Sequence, residues 1–588
     1  MKRKLLIIFV LIAVCYSTVL PQSAGFSESF NTLHETMSIK YAFGEWKGIN
    51  WDGLYTEFQP RIASAEISND SSAYYLAIRE YLYRIPDGHV SLINSTSRIT
   101  PWGTIREELM HAQCGGSYGF ALIGLDDERV VVRHVTESSS ADSAGIQFGA
   151  EIVEINDLPM EQALDNVSVL WSEHIPATKE GKRLQQYRFI GRAPVGESMQ
   201  IKFKNRGSSE TVNATLHAID DDYLTYNVTT LSTSRDTLLP VSFEILQPEG
   251  YGYIQVTSCG SPAMILDMYS EFKKAIQSFV DNNVPGIIFD LRQNEGGEDN
   301  LAAALAGFFY QDTTHYESVS FFNEGAGEFT VLPMPVEHIN SITNDVYINP
   351  GYPLGTVYIE PPDLHYNGKV IVLAGPRQIS SGEGIAMALQ KLPQCQVVSL
   401  YGSHGSFGIV ISDFAVWLDS NMENPLLVMY PFARSLDVND VIQVDSNLDM
   451  MGGVIPDFRP PLDDQAIDKM FVQNIDYELE YAINHMDALV SIGNTHDVAV
   501  PAGFDLYQNY PNPFNPVTNI SYQIQQSGHV NLVVYDLLGR KIKTLVDKHV
   551  ARGEHEIKFD ARNLASGIYF YKLKVGDYFQ LKKMILSK

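Results

Sequence analysis

Gly286-Ile287-Ile288-Phe289-Asp290-Leu291-Arg292-Gln293-Asn294-Glu295-Gly296-Gly297 reads as a short apolar strand that ends in polar residues and a glycine pair. A second stretch repeats the pattern: Lys369 to Ala374 is apolar, and Gln378-Ile379-Ser380-Ser381-Gly382-Glu383 follows it closely. Apolar runs of this length without alternation suit strands covered on both faces. Between and around them, Ile265 to Asp281, Leu301 to Phe309 and Gly382 to Leu392 carry helical periodicity, and Tyr251 to Val256 reads as a further strand. Alternating strand and helix predicts an α/β layer over residues 240–487, with a long loop-rich stretch before Lys369. Open α/β sheets hold their sites at the carboxyl ends of the strands, where both polar stretches fall.

Outward from this core the patterns change. Residues 25–110 are helix-periodic, with Asp70 or Ser71 placed to cap the third helix, and end at the turn Pro86-Asp87-Gly88-His89 before Val90-Ser91-Leu92-Ile93. Residues 111–220 read as short strands punctuated by glycine, among them Gly119-Phe120-Ala121-Leu122 and Val130 to Val135. After a linker over 488–506, residues 507–588 open on the turn cluster Tyr510-Pro511-Asn512-Pro513-Phe514-Asn515-Pro516. Alternating strands follow, predicting a small β-sandwich. At the other end, Lys2, Arg3 and Lys4 precede the apolar run Leu5 to Val14, with small residues at Ser17 and Ala24. This is the pattern of a signal peptide over residues 1–24. The expected fold class is therefore multidomain α/β: an N-terminal helical layer, a β-rich domain, an α/β core and a C-terminal β-sandwich.

Composition narrows the function. Over 588 residues the net charge is −28, which disfavours nucleic acid or an anionic membrane surface as a partner. No stretch is long and apolar enough to predict a membrane span. Cys114, Cys259 and Cys395 are too scattered for a zinc site or a disulfide framework and read as buried thiols. Neither metal nor organic cofactor is expected.

Ser380 stands where a helix would begin, so free N–H groups and the helix dipole would favour negative charge beside it. Paired glycines at 296 and 297 let backbone approach a reacting group and offer N–H donors to an oxyanion. Each feature also has a plain structural reading: a serine before a helix is commonly an N-cap, and Glu383 three residues later fits a capping box. A lone histidine in a turn, such as His89, is commonly structural.

The order of the segments weighs on that balance. Residues 30–465, with "DGHV", "DLRQNEGG" and "SSGE" in sequence, resemble the tail-specific or C-terminal-processing serine peptidases, in particular their tricorn-like branch. Within them, Ser140-Ala141-Asp142-Ser143-Ala144-Gly145-Ile146 and Ile152 to Asp157 resemble a PDZ domain. That likeness implies peptide binding along Gly119, Phe120, Ala121 and Leu122. The segments "YPNPFNP", "VYDLLGRKIKTL" and "LASGIYFYKLKVGD" resemble the C-terminal sorting domain of type IX secretion. From the peptidase resemblance Ser380 is the nucleophile, with Ser381 second. No lysine follows in Tyr401 to Gly408, so His89 is the general base and His404 its competitor. Asp449 takes the acidic role before Gly452-Gly453-Val454-Ile455-Pro456-Asp457, and the oxyanion donors are backbone N–H groups of Ser381 with Gly296 or Gly297. The implied activity is hydrolysis of polypeptides by a secreted or cell-surface serine endopeptidase, with the type IX machinery as a partner and the oligomeric state open. The alternative is a secreted peptide- or ligand-binding protein that keeps the fold without turnover.

Overall fold

The computed structural model describes residues 25–94, 100–229, 239–419, 425–493, 505–509, 511–512, 514–524, 528–536, 540–550, 553–575 and 578–586. The expected signal peptide lies outside them. The chain divides into two compact units, 1–487 and 488–588.

The first unit is built on a five-stranded sheet in the order Val241–Ile245, Gly252–Val256, Gly286–Asp290, Lys369–Leu373, Cys395–Val398. Its first pair is antiparallel and the rest are parallel. Gly286 pairs with Lys369 and Asp290 with Leu373, so the two central strands end level. That register sets the glycine pair beside the serines. Ile287 and Phe289 are fully buried because helices Ile265–Asp281, Asp299–Gly307 and Ser381–Gln390 contribute to the same core.

Helices Phe26–Lys40, Trp51–Ser68 and Ser71–Leu82 form a second core, rich in Phe30, Phe58, Tyr74, Tyr75 and Tyr81. Asp70 caps the third helix, accepting from Ala73 N at 2.9 Å. The strand Ser91–Asn94 leaves this layer to pair with Leu426–Met429. Residues 120–217 supply a third core, under a sheet running Phe120–Gly124, Val130–Val135, Glu151–Ile155, Ser198–Lys204, Val212–His217.

One expectation needs correction. Residues 314–359 are not loop: they hold strands Thr314–Asn323, Glu328–Val331, Glu337–Asn340, Asp345–Ile348 and Thr356–Ile359. Four of these are only four residues long, too short for periodicity to reveal. The compact units divide after Asp487, the end expected for the α/β core, within the helix Tyr477–Gly493.

In the second unit, Val517–Ile524 pairs with Gly553–Asp560, and Lys541–Val550, Gly528–Asp536, Gly567–Val575 and Tyr578–Leu586 form a separate sheet. The two sheets share one core, including Ile520, Val534, Phe559 and Tyr571.

Candidate active site

The chain after strand Lys369–Leu373 turns into helix Ser381–Gln390 through Ser380, whose φ of 59° and ψ of −136° are costly for a residue with a Cβ. Ser380 holds the N-cap position, yet its side chain makes no capping hydrogen bond. The plain capping role is therefore unfilled. Strain at a strand-to-helix turn with an uncommitted hydroxyl suits a nucleophile held ready.

Opposite it, Gly296 has φ of 89°, and a Cβ there would lie 2.5 Å from Ser380 Cβ and 3.1 Å from its Oγ. Only glycine fits. Gly296→Ala is expected to displace Ser380 and lower kcat by about 100-fold, since misplacement near 1 Å costs that much; kcat against an unchanged circular dichroism spectrum checks it. The loop is held by Asn294, fully buried: its Nδ2 donates to Val256 O at 3.1 Å, its Oδ1 accepts from Gly296 N at 2.9 Å, and its carbonyl accepts from Ile379 N at 3.2 Å. Asn294 thus binds three strand ends together. Its grip also commits the Gly296 N–H, which removes Gly296 from the expected oxyanion donors. Among the described residues, no acceptor takes up the N–H of Gly297 or Ser381. The Ser381 hydroxyl, the second choice as nucleophile, is engaged with Gly297 O at 2.8 Å and Asp299 Oδ1 at 2.7 Å.

His89, Gly297 and Ser380 line one cavity of about 870 Å³, with Gly88 and His174 also on its wall. The structure brings His89 and Ser380 to the same space without a hydrogen bond between them. The His89 turn is anchored on several sides: Lys47 Nζ donates to Pro86 O at 3.1 Å, Tyr41 OH to Asp87 Oδ2 at 2.7 Å, and Gly88 N to Ser406 Oγ at 2.9 Å. His89 N donates to Asp87 Oδ1 at 2.9 Å, and that oxygen lies 3.8 Å from His89 Nδ1. Burial, opposed by Asp87, lowers the His89 imidazole to about 4.

His404 approaches from the other side: a Cβ on Gly88 would lie 2.3 Å from its Cε1. Burial lowers its pKa well below the usual range. Its loop is held by the buried Glu383, which accepts from Ser403 Oγ, from Gly405 N at 2.7 Å and from Ser406 N at 2.9 Å. Burial pushes Glu383 up to about 7, and these donors pull the other way. Glu383 therefore fixes a loop across the cleft, and the backbone of the N-cap Ser380 also hydrogen-bonds to it.

Asp449 is a correction. It is exposed in a turn, its N–H donating to Asn447 Oδ1 at 2.9 Å, and it does not line the cavity. The carboxylate beside His89 is Asp87, two residues away in sequence. Asp445 is buried behind it, 3.8 Å from the buried Lys47 Nζ. The "D-G-H" spacing contained the Asp87 signal, whereas Lys47 offered none.

Gly119, Phe120, Ala121 and Leu122 also depart from expectation. They begin the edge strand of their sheet as a peptide-accepting segment would, but Phe120, Ala121 and Leu122 are buried. A Cβ on Gly191 would lie 2.6 Å from Phe120 O and one on Gly124 2.2 Å from Tyr187 OH, so the chain itself packs along that edge. Cys114, Cys259 and Cys395 are buried free thiols.

Comparison with known proteins follows the same division. Residues 250–421 match the model of peptidase family S41, and residues 508–587 that of the secretion system C-terminal sorting domain. The chain is 27% identical over 267 residues to the chloroplastic carboxyl-terminal-processing peptidase 3 of Arabidopsis thaliana, a match spanning 43% of each protein. Its fold is similar to mature CPAF complexed with lactacystin, at a TM-score of 0.50 and 14% identity, covering 80% of this chain and 99% of that one. A second mature CPAF structure gives 0.50 and 13%, covering 81% and 99%. The peptidase-family match spans the strained Ser380 and the glycine loop, and the sorting-domain match spans the C-terminal unit's strands.

Proposed function

We propose that the protein is an exported serine endopeptidase that hydrolyses polypeptides through an acyl-enzyme. One observation carries this reading: the strained, uncapped Ser380 shares a cavity with His89 and Gly297. Ser380 Oγ attacks the scissile carbonyl carbon while His89 takes its proton, and the tetrahedral oxyanion is held by the N–H groups of Gly297 and Ser381. The imidazolium returns the proton to the leaving amine, and water, deprotonated by the same imidazole, releases the acyl group. Asp87 faces the imidazole and stabilises its charged form. No step calls on a metal or organic cofactor.

We read residues 111–220 as a PDZ-like module that gates substrate entry, since its segment Ser172 to Ile175 forms part of the cavity wall. We read the tail as routing the chain through type IX secretion to the cell surface or beyond. The S41 match does not favour the binding-only alternative. Incubation of residues 25–493 with a serine-directed fluorophosphonate and with casein tests the reading. A label on Ser380 together with casein cleavage supports it, and a folded protein that shows neither sinks it.

Acid–base behaviour supplies a second test. A base whose pKa is lowered to about 4 stays neutral, and so competent, throughout the neutral range. The profile of kcat/KM is expected to fall on the acid side with a midpoint near that value and to show no acid limb near the ordinary histidine value of about 6.5.

A further inference from the structure

Beside the nucleophile, counting hydrogens constrains the chemistry. The Ser381 hydroxyl touches both Gly297 O and Asp299 Oδ1 at hydrogen-bond distance, but it carries one hydrogen. A carbonyl oxygen only accepts, so the Gly297 bond uses the serine's hydrogen. The contact with Asp299 then requires a hydrogen on the carboxyl.

Behind Asp299 lies Glu317, 1% exposed on strand Thr314–Asn323, and the two carboxyl groups interact directly. Neither oxygen of Glu317 completes a hydrogen bond from a donor, although Ser435 lies beside it. Two ionised carboxylates do not share such a site, because desolvation and mutual repulsion both favour protonation. The other titratable groups facing the pair are Glu298, with Glu337 behind it, Tyr316 and Cys259, and none is a cation. Burial, the largest influence on each, raises Asp299 to about 6, with the hydrogen bonds to Ser381 and Glu317 pulling the other way, and raises Glu317 well above the carboxylate range.

We propose that Asp299 is a positioning residue for the oxyanion loop and acts as a neutral acid: it donates its hydrogen to Ser381 Oγ, freeing the serine's own hydrogen to hold the Gly297 carbonyl. Gly297 has φ of 141°, a conformation that side-chain-bearing residues rarely adopt, and this carbonyl bond fixes the peptide next to its N–H. Loss of the proton turns Asp299 into an acceptor. Ser381 then turns its hydrogen from Gly297 to the carboxylate, and the loop loses a tether. This inference rests on the peptidase reading for its kinetic consequence but not for the protonation itself.

The test compares the full chain with its Asp299→Asn, Asp299→Ala and Ser381→Ala variants. An asparagine in place of Asp299 donates from Nδ2 at every pH and mimics the neutral acid. Wild type is expected to lose kcat as the pH rises through about 6, Asp299→Asn to keep its kcat above that value, and the two alanine variants to lose up to about 100-fold at all pH values. Infrared difference spectra on raising the pH are expected to show a protonated carboxyl band disappear in wild type and be absent from Asp299→Asn. An alkaline fall that survives in Asp299→Asn, or a carboxyl band unchanged by that substitution, overturns the proposal. If no variant turns over peptide and Ser380 takes no fluorophosphonate, the peptidase reading fails, and the infrared result alone decides the protonation of Asp299.

Discussion

Ser380→Ala is expected to lower kcat on peptides by about 10⁴- to 10⁶-fold while leaving the fold intact, because removing the nucleophile of an acyl-transfer site costs on that order. The substitution deletes one oxygen that makes no capping bond, so helix Ser381–Gln390 loses nothing by it. His89→Ala is expected to approach the same loss, and His404→Ala to be much milder, because His89 shares the cavity with Ser380. His404 instead packs over Gly88. The double variant Ser380→Ala with His89→Ala should be scarcely worse than either alone, as groups that act as one unit are strongly non-additive. Single-turnover kinetics with a chromogenic peptide checks the set. If His404→Ala were the more damaging, the base would be His404 and the Asp87 turn only its support.

Arg292→Met is expected to destabilise the first unit by about 3–5 kcal/mol, the usual result of removing one partner from a buried ion cluster. Arg292 Nη2 donates to Asp290 Oδ2 at 2.6 Å and to Asp476 Oδ2 at 2.8 Å, and Nη1 donates to Asp476 Oδ1 at 2.7 Å and Glu478 Oε2 at 3.3 Å. Asp290 is fully buried and Tyr253 OH also donates to it at 2.7 Å. Loss of the guanidinium strands Asp290 and Glu478 without a counter-charge, whereas exchanging the cluster for apolar residues of similar volume can be close to neutral. Asp290→Leu added to Arg292→Met is therefore expected to recover part of the loss. All five tryptophans lie between Trp46 and Trp417, so urea unfolding followed by tryptophan fluorescence reports this unit alone. An unchanged midpoint for Arg292→Met would falsify the structural role.

This cluster shows where sequence reading succeeds and where it stops. "DLRQNEGG" announces a polar loop at a strand end, and the glycines do face Ser380. The same pattern cannot show that Asp290 and Arg292 turn back to fasten helix Tyr477–Gly493, because the partners Asp476 and Glu478 are set by tertiary packing. Ser380 and the glycines are legible because their local conformations restrict which residues fit. Asp449 misleads because a carboxylate can serve a histidine from any element, and only the fold shows that Asp87 is the neighbour. Lys47 has no sequence signal, because the groups its Nζ binds, Pro86 O and Ser446 O and Oγ, are brought together only by the fold. Four of the strands in residues 314–359 escape notice because four residues carry too little periodicity.

The strand Ser91–Asn94, just beyond His89, finds its partner only in Leu426–Met429, and Gly88 is tied to Ser406 across 318 positions. Synthesis proceeds from the N-terminus, and pairings this distant form late. Until residue 429 has emerged from the ribosome, the histidine has no frame to hold it against the serine. The cavity that His89 shares with Ser380 is therefore complete only after nearly the whole first unit has been made.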